Sequence, residues 1–154
     1  MPQIKANGLS FEYDTFGDRK NPAIQLIMGF SAQMTMWPVE LCQGLADRGY
    51  YVIRFDNRDI GLSQKIVSNV EVNVMEAFMK AASGQPISSP YQLNDMAADA
   101  AGILDALDID KAHIVGASMG GMIAQLVAIN HPNKARSLTS IMSTTGRRDL
   151  PPSK

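Results

Sequence analysis

Ser118 lies at the centre of a Gly-x-Ser-x-Gly pentapeptide between a strand-like apolar run and a helix-like run. A strand that turns into a helix within about one residue forces the central residue into a strained backbone conformation. A Cβ two residues before or after the serine would collide with the turn, so Gly116 and Gly120 are needed there. The hydroxyl then stands at a helix N-terminus, which stabilises an oxyanion. The pattern predicts a nucleophile that is acylated; the alternative is a glycine-rich turn with an incidental serine.

A serine hydroxyl is a poor nucleophile near neutral pH, so Ser118 needs a general base within hydrogen-bonding distance. The sequence contains two histidines. His131 follows on the same predicted helix, at about 20 Å for thirteen residues of 1.5 Å rise. His113 precedes the serine on the predicted strand, at roughly 16 Å toward the opposite end of the sheet. We therefore expect that neither histidine acts as the base.

Short apolar runs alternate with helical patterns along the chain, which predicts an α/β domain with a mostly parallel sheet flanked by helices. The predicted strands cover residues 4–6, 9–16, 23–28, 51–55, 111–115 and 135–142, and the predicted helices cover 37–48, 74–82, 91–107 and 119–131. Residues 64–90 form one long irregular connection, a length that is uncommon unless it has a function. This connection either borders a substrate entrance or is a plain surface insertion.

The composition is that of an ordinary globular domain, with 45% hydrophobic residues, 19% charged residues and a net charge of −1. This charge balance gives no reason to expect nucleic acid or a membrane as a partner. No apolar stretch approaches the ~18 residues of a membrane span. Cys42 is the single cysteine, so no internal disulfide forms, and we expect a cytoplasmic location. No metal or organic cofactor is expected, because the chain lacks H-E-x-x-H, Walker A and G-x-G-x-x-G motifs and a Cys/His cluster.

The order of elements and three local motifs resemble the α/β-hydrolase superfamily over essentially the whole chain. Residues 28–31 (Met-Gly-Phe-Ser) stand where that family has its oxyanion loop, residues 56–63 resemble its D-x-R-G-x-G-x-S turn, and residues 116–121 resemble its nucleophile elbow. Two positions depart from the family pattern. Met28 replaces a histidine that is frequent in the oxyanion loop, and Asp59 stands where glycine is usual. The first change leaves the backbone donor of the loop intact.

The resemblance implies that the backbone N–H groups of Phe30 and Met119 form an oxyanion hole for an acyl group on Ser118. Because only the amides act, the side chains at these two positions are loosely constrained. Each such donor typically contributes about 2.7–4 kcal/mol to the stability of the transition state. Asp56 and Arg58 are expected to be structural, as a turn residue and as an arginine that bonds loop carbonyls.

In this superfamily the acid and the base of the triad follow the serine along the chain. The resemblance therefore implies a helical cap and further core strands, and the fold is incomplete without a C-terminal segment. We expect residues 1–143 to form the N-terminal part of the core and residues 144–154 to be an exposed linker toward the cap. Asp149 lies in this Pro-rich, basic tail, which is typical of a linker. A second polypeptide, left by a proteolytic nick, would supply the acid and the histidine; deliberate truncation is the other explanation.

Residues 37–59 are most similar to aclacinomycin-methylesterase-like enzymes and other hydrolases of small esters or lactones. The resemblance thus implies a carboxylesterase-type serine hydrolase that acts on a small-molecule ester and is inactive as this chain alone. An acyltransferase or perhydrolase would use the same elbow with another acyl acceptor. A non-catalytic ligand-binding or signalling protein would keep only the scaffold, since a fold does not fix a function. Serine at the elbow disfavours dehalogenase chemistry, for which this superfamily places aspartate there.

Overall fold

The computed structural model describes residues 2–70 and 73–147. Its strands are β1 (Gln3–Ala6), β2 (Leu9–Phe16), β3 (Ala23–Ile27), β4 (Tyr51–Phe55), β5 (Ala112–Ala117) and β6 (Ala135–Ile141). Its helices are α1 (Val39–Ala46), α2 (Val74–Ser83), α3 (Leu93–Ala106) and α4 (Met119–Asn130), with a short 3-10 helix at Met34–Met36. The predicted strands and helices are all present, and their ends differ from the predicted ones by at most two residues. The 3-10 helix lies between the predicted strand 23–28 and the predicted helix 37–48, where the sequence predicts no regular element.

The strands form one sheet in the order β1-β2-β4-β3-β5-β6. Strand β1 pairs antiparallel with β2, and β2 pairs antiparallel with β4. Strands β4, β3, β5 and β6 run parallel to one another. The predicted α/β fold with a mostly parallel sheet is thus confirmed.

Helices cover both faces of the sheet because alternate side chains of the central strands point to opposite sides. Ile27 of β3 packs in a cluster that includes α3 and α4, whereas Ile24 and Leu26 pack in a second cluster with Cys42 of α1. Strands β3 and β4 are buried along their whole length, as expected of central parallel strands that read as continuous apolar runs. Burial raises the pKa of the Cys42 thiol, which fits its expected place as an apolar filler.

The carboxyl ends of the parallel strands all point to one edge of the sheet, so the segments that follow them meet there. These segments begin after β3, β4, β5 and β6. Strand β6 is the last strand on its side of the sheet within the described residues. Residues 144–147 are exposed, and residues 148–154, including Asp149, lie outside the described residues. The division at residue 143 therefore stays a prediction.

A buried ion pair joins the segment after β4 to helix α3. Arg58 donates hydrogen bonds to both carboxylate oxygens of Asp99, at 2.6 and 2.7 Å, and to the carbonyl of Asp95 at 3.3 Å. The ring of Tyr91 lies 5.0 Å from the guanidinium carbon, and Asn7 donates a further hydrogen bond to Asp99 at 2.8 Å. Arg58 is therefore structural, as expected, but its acceptors lie on helix α3 and not on a loop.

Burial raises the pKa of Tyr91 to about 12, and a hydrogen bond to the carboxylate of Asp59 acts in the same direction. The phenol of an unfolded chain has a pKa of about 10. The folded state thus holds this proton more tightly, and the resulting stability is complete below pH 10 and is lost as the pH rises through 12. We expect Tyr91→Phe to flatten the fall in the free energy of unfolding over this window. Denaturant titrations at several pH values would measure the free energy of unfolding of both proteins. If it falls by the same amount in both between pH 10 and 12, the prediction is wrong.

Candidate active site

Ser118 occupies a sharp turn between β5 and α4, with φ 55° and ψ −124°. A serine rarely adopts this conformation, so the strain predicted for the turn is present. A Cβ added to Gly116 would lie 2.0 Å from the carbonyl oxygen of Gly120, and one added to Gly120 would lie 2.1 Å from that of Ile27. The prediction is confirmed for Gly116, whose obstacle lies in the turn itself. Gly120 needs glycine as predicted, but its obstacle is the end of β3 and not the turn. The turn is held by close backbone packing on both sides of the serine.

The backbone of Ser118 is fixed while its hydroxyl is left available. Its N–H donates to the carbonyl of Ile141 at 2.9 Å, and its C=O accepts from the N–H of Gly121 at 2.9 Å. The side chain is exposed and makes no hydrogen bond that caps α4. The hydroxyl therefore stands at the carboxyl edge of the sheet, where a substrate can approach it.

The segment after β3 lies directly against the serine. A Cβ added to Gly29 would stand 3.0 Å from Cβ and 3.4 Å from Oγ of Ser118. Phe30 is the next residue, and its N–H donates to no acceptor within residues 2–70 and 73–147. Met119 is the first residue of α4, so its N–H has no acceptor within the helix. Two backbone donors are thus available close to the serine; their role as an oxyanion hole stays a prediction.

Two buried side chains after β4 bond to the segment after β3. Asn57 donates from Nδ2 to the carbonyl of Met28 at 2.9 Å, and Oδ1 of Asp56 accepts the N–H of Met34 at 2.6 Å. Asp56 is thus structural, as expected. The sequence carries no motif that assigns a role to Asn57. Its place, one residue after Asp56 at the end of a buried strand, is the signal that could have drawn attention to it.

A cavity of about 560 Å³ opens beside these two segments. It is lined by Ser31, Ala32, Gln33, Thr35, Met36, Asp59, Ile60 and Gly61. None of these residues belongs to the long connection at 64–90. The cavity thus gives no support to the expectation that this connection borders a substrate entrance.

Neither histidine contacts Ser118. Nδ1 of His113 lies 2.7 Å from Oγ of Ser137 on β6, and His131 follows the last residue of α4. In the described ranges no three His, Cys, Asp or Glu side chains group as a metal site would require. No helix among these residues has the length and apolar character needed to cross a membrane. The site as described therefore contains the serine and two backbone donors without a histidine base.

The family model described as the alpha/beta hydrolase fold matches residues 22–153. The chain belongs to the alpha/beta hydrolase family. The resemblance inferred from the elbow and the two loops is confirmed, and this alpha/beta hydrolase matches relatives of the expected kinds.

Two curated relatives and one solved structure illustrate the match. This chain is 32% identical over 126 residues to rhodomycin D methylesterase DauP of a Streptomyces species. The aligned region covers 82% of this chain and 36% of DauP. The chain is also 28% identical over 131 residues to 3-oxoadipate enol-lactonase 2 of Acinetobacter baylyi, in an alignment that covers 85% of this chain and 40% of the lactonase. The crystal structure of a membrane phospholipase A, a bacterial virulence factor, matches with a TM-score of 0.69 and 28% identity, over 89% of this chain and 37% of that one.

The chain matches less than half of the length of each of these relatives. The alpha/beta hydrolase chain spans 36% of DauP and 40% of the enol-lactonase. The relatives are an esterase and a lactonase by name, which agrees with the class of hydrolase that the sequence indicates. The methylesterase resemblance is confirmed by the match to DauP.

Proposed function

We propose that this chain supplies the nucleophile and the oxyanion hole of a serine hydrolase that cleaves carboxylic esters or lactones. The observation that carries the proposal is the exposed Ser118 hydroxyl on a strained strand-turn-helix, with Gly29 packed against it. The methylesterase and the enol-lactonase among the relatives support the substrate class. A cytoplasmic location is part of the proposal, because the free thiol of Cys42 requires no oxidising compartment.

The proposed reaction uses the hydroxyl of Ser118 and the two backbone amides. Oγ of Ser118 attacks the carbonyl carbon while its proton passes to a base. The carbonyl oxygen becomes an oxyanion that accepts hydrogen bonds from the N–H groups of Phe30 and Met119, at the positive end of α4. The ester C–O bond then breaks, and the alcohol leaves with the proton from the base. Water hydrolyses the acyl-enzyme by the same steps and restores the serine.

The base and the acid come, in this proposal, from a further segment of the same fold, present as a second polypeptide or in a longer chain. The contacts of His113 and His131 away from the serine support this assignment. The edge of the sheet supports it as well, because Leu138 and Ile141 of β6 are 43% and 40% exposed. An open parallel edge with apolar side chains is a surface on which further strands pair.

We therefore expect the 154-residue chain on its own to self-associate through β6, since on the side away from β5 its backbone pairs with no strand among the described residues. Sedimentation velocity over a range of concentrations would measure the self-association. Mass spectrometry of the denatured sample would show in parallel whether a second polypeptide accompanies the chain. A soluble monomer that unfolds cooperatively would contradict this expectation.

Hydrolysis of a series of p-nitrophenyl esters tests the proposed function, with the segment that carries the base present. We expect a burst of p-nitrophenolate equal to the number of active sites wherever hydrolysis of the acyl-enzyme is slower than its formation. The chain length with the highest kcat/KM then defines the acyl group. Absence of turnover on both the esters and simple lactones would contradict the proposal.

A further inference from the structure

We propose that Asn57 and Asp56 are positioning residues that hold the two ends of the oxyanion loop, residues 28–34, and so place the Phe30 amide beside Ser118. The proposal rests on the proposed function, because it assigns these side chains a role in the same oxyanion hole. Neither residue touches the reacting atoms. Each acts through the backbone of the loop.

The oxyanion loop has little internal structure to fix its shape. Inside it, the N–H of Ala32 donates to the carbonyl of Gly29 at 3.4 Å, which is a long hydrogen bond. Ser31 has a φ of 55°, a conformation that costs free energy for a residue other than glycine. A loop of this kind keeps one conformation only when its surroundings impose it.

Asn57 and Asp56 provide such surroundings at both ends of the loop. Asn57 bonds to the carbonyl of Met28, directly before the glycine that packs against Ser118. Asp56 accepts the N–H of Met34 at the other end, at 2.6 Å. The two side chains are only 3% and 2% exposed, so water cannot replace either hydrogen bond. The Phe30 amide lies between these two anchor points.

The anchors are themselves held by the strand next to them. Oγ of Ser63 donates to the carbonyl of Asp56 at 2.7 Å and accepts the N–H of Glu12 on β2 at 2.9 Å. The N–H of Asp56 donates to the carbonyl of Glu12 at 3.0 Å. A Cβ on Gly61 would lie 1.9 Å from Oδ2 of Asp56, so the turn closes tightly over the carboxylate. Hydrogen bonds to the backbone of Glu12 on β2 thus fix the position of Asp56, and through it the position of the loop.

An oxyanion hole depends on position, because its donors must lie 2.7–3.1 Å from the oxygen that carries the charge. A displacement of about 1 Å at a reacting centre can lower a rate about a hundredfold. Loss of the hydrogen bond from Asn57 would release the loop at the end nearest to Ser118. The ground-state affinity for an ester would change little, since the substrate carbonyl is only weakly charged before attack.

The test is Asn57→Leu in the complete hydrolase, by which we mean this chain together with the proposed segment that carries the base. Gln25→Leu is its matched control. Gln25 also donates from a buried carboxamide to a backbone carbonyl at 2.9 Å, but its acceptor is Ala100 on helix α3. We expect Asn57→Leu to lower kcat for p-nitrophenyl acetate about 10- to 100-fold with KM nearly unchanged. Inhibition by a phenylboronic acid, which places an oxyanion in the hole, should weaken by a similar factor. Gln25→Leu should leave kcat and this inhibition within about threefold of the parent.

Hydrogen exchange followed by mass spectrometry provides a readout that does not depend on hydrolysis. We expect Asn57→Leu to speed exchange in peptides that contain residues 28–34, while peptides from α4 keep their rate. Asn57→Asp replaces the leucine variant as the test if the latter fails to fold. Aspartate has the size of asparagine but lacks the Nδ2 donor, so it should also speed exchange in the loop and lower kcat.

Unchanged exchange and unchanged kcat in the Asn57 variants would overturn the proposal while leaving ester hydrolysis by the parent protein intact. Equal losses of kcat in Asn57→Leu and Gln25→Leu would also overturn it, because they would point to general destabilisation. A parent protein that hydrolyses no ester, together with faster exchange in the loop of Asn57→Leu, would overturn the proposed function but not the anchoring of the loop.

Discussion

Gly120→Ala is expected to lower the free energy of unfolding by about 3 kcal/mol, although alanine is the best helix former. Gly120 is the second residue of α4, and an added Cβ would lie 2.1 Å from the carbonyl oxygen of Ile27 and 2.8 Å from that of Met28. These obstacles are backbone atoms at the end of β3, which cannot rotate away as a flexible side chain can. The elbow and the oxyanion loop must therefore separate, and activity should be lost with stability.

Gly44→Ala is the matched control for this prediction. Gly44 also lies in a helix, α1, but the nearest atom to an added Cβ is Nη1 of Arg48 at 3.5 Å. Alanine at this position should raise the free energy of unfolding by roughly 0.5–1 kcal/mol, through its higher helix propensity. Denaturant unfolding of both variants makes the comparison. Two variants of equal stability would contradict the packing of the elbow described above.

Ser118→Ala is expected to lower kcat for ester hydrolysis by about 10⁴- to 10⁶-fold, because without the hydroxyl no acyl-enzyme forms. The stability of the protein should hardly change. The hydroxyl of Ser118 is exposed and caps no helix, and alanine meets the same backbone strain as serine at φ 55°. Steady-state kinetics and denaturant unfolding of the complete hydrolase would test both halves of this prediction.

Ser137→Ala serves as the control for the serine variant. Ser137 lies on the neighbouring strand β6, and its hydroxyl bonds to the ring of His113. Its register partner on β5 is His113, which precedes the elbow glycine Gly116, so kcat should stay close to that of the parent. Hydrolysis that persists in Ser118→Ala would contradict the assignment of the nucleophile.

Much of the fold was predictable because its signals are local. Strands β3 and β4 are continuous apolar runs, and the turn between β1 and β2 is Asn7-Gly8, with φ values of 46° and 78° that suit these two residues. The elbow was predictable as a pentapeptide between a strand pattern and a helix pattern. The need for glycine at Gly116 is local, because an added Cβ would meet Gly120 and Gly121. The need at Gly120 is not local, because the obstacle is the carbonyl of Ile27 on β3.

The contacts that support the site were not predictable, because they join residues that are distant along the chain. Asn57 bonds to Met28 across 29 positions, and Arg58 bonds to Asp99 across 41 positions. Both depend on the strand order, in which β4 lies between β2 and β3. Local propensity does not specify that order. The sequence around an asparagine or arginine in a polar turn therefore does not indicate which group accepts its hydrogen bond.

Labelling with a fluorophosphonate, followed by peptide mapping, tests the central claim most directly. The reagent phosphonylates an activated serine, so the complete hydrolase should gain a single adduct on the peptide that contains Ser118. The adduct should be absent from Ser118→Ala and present in Ser137→Ala. No adduct on the complete protein, or an adduct at another residue, would contradict the account of Ser118 as the nucleophile.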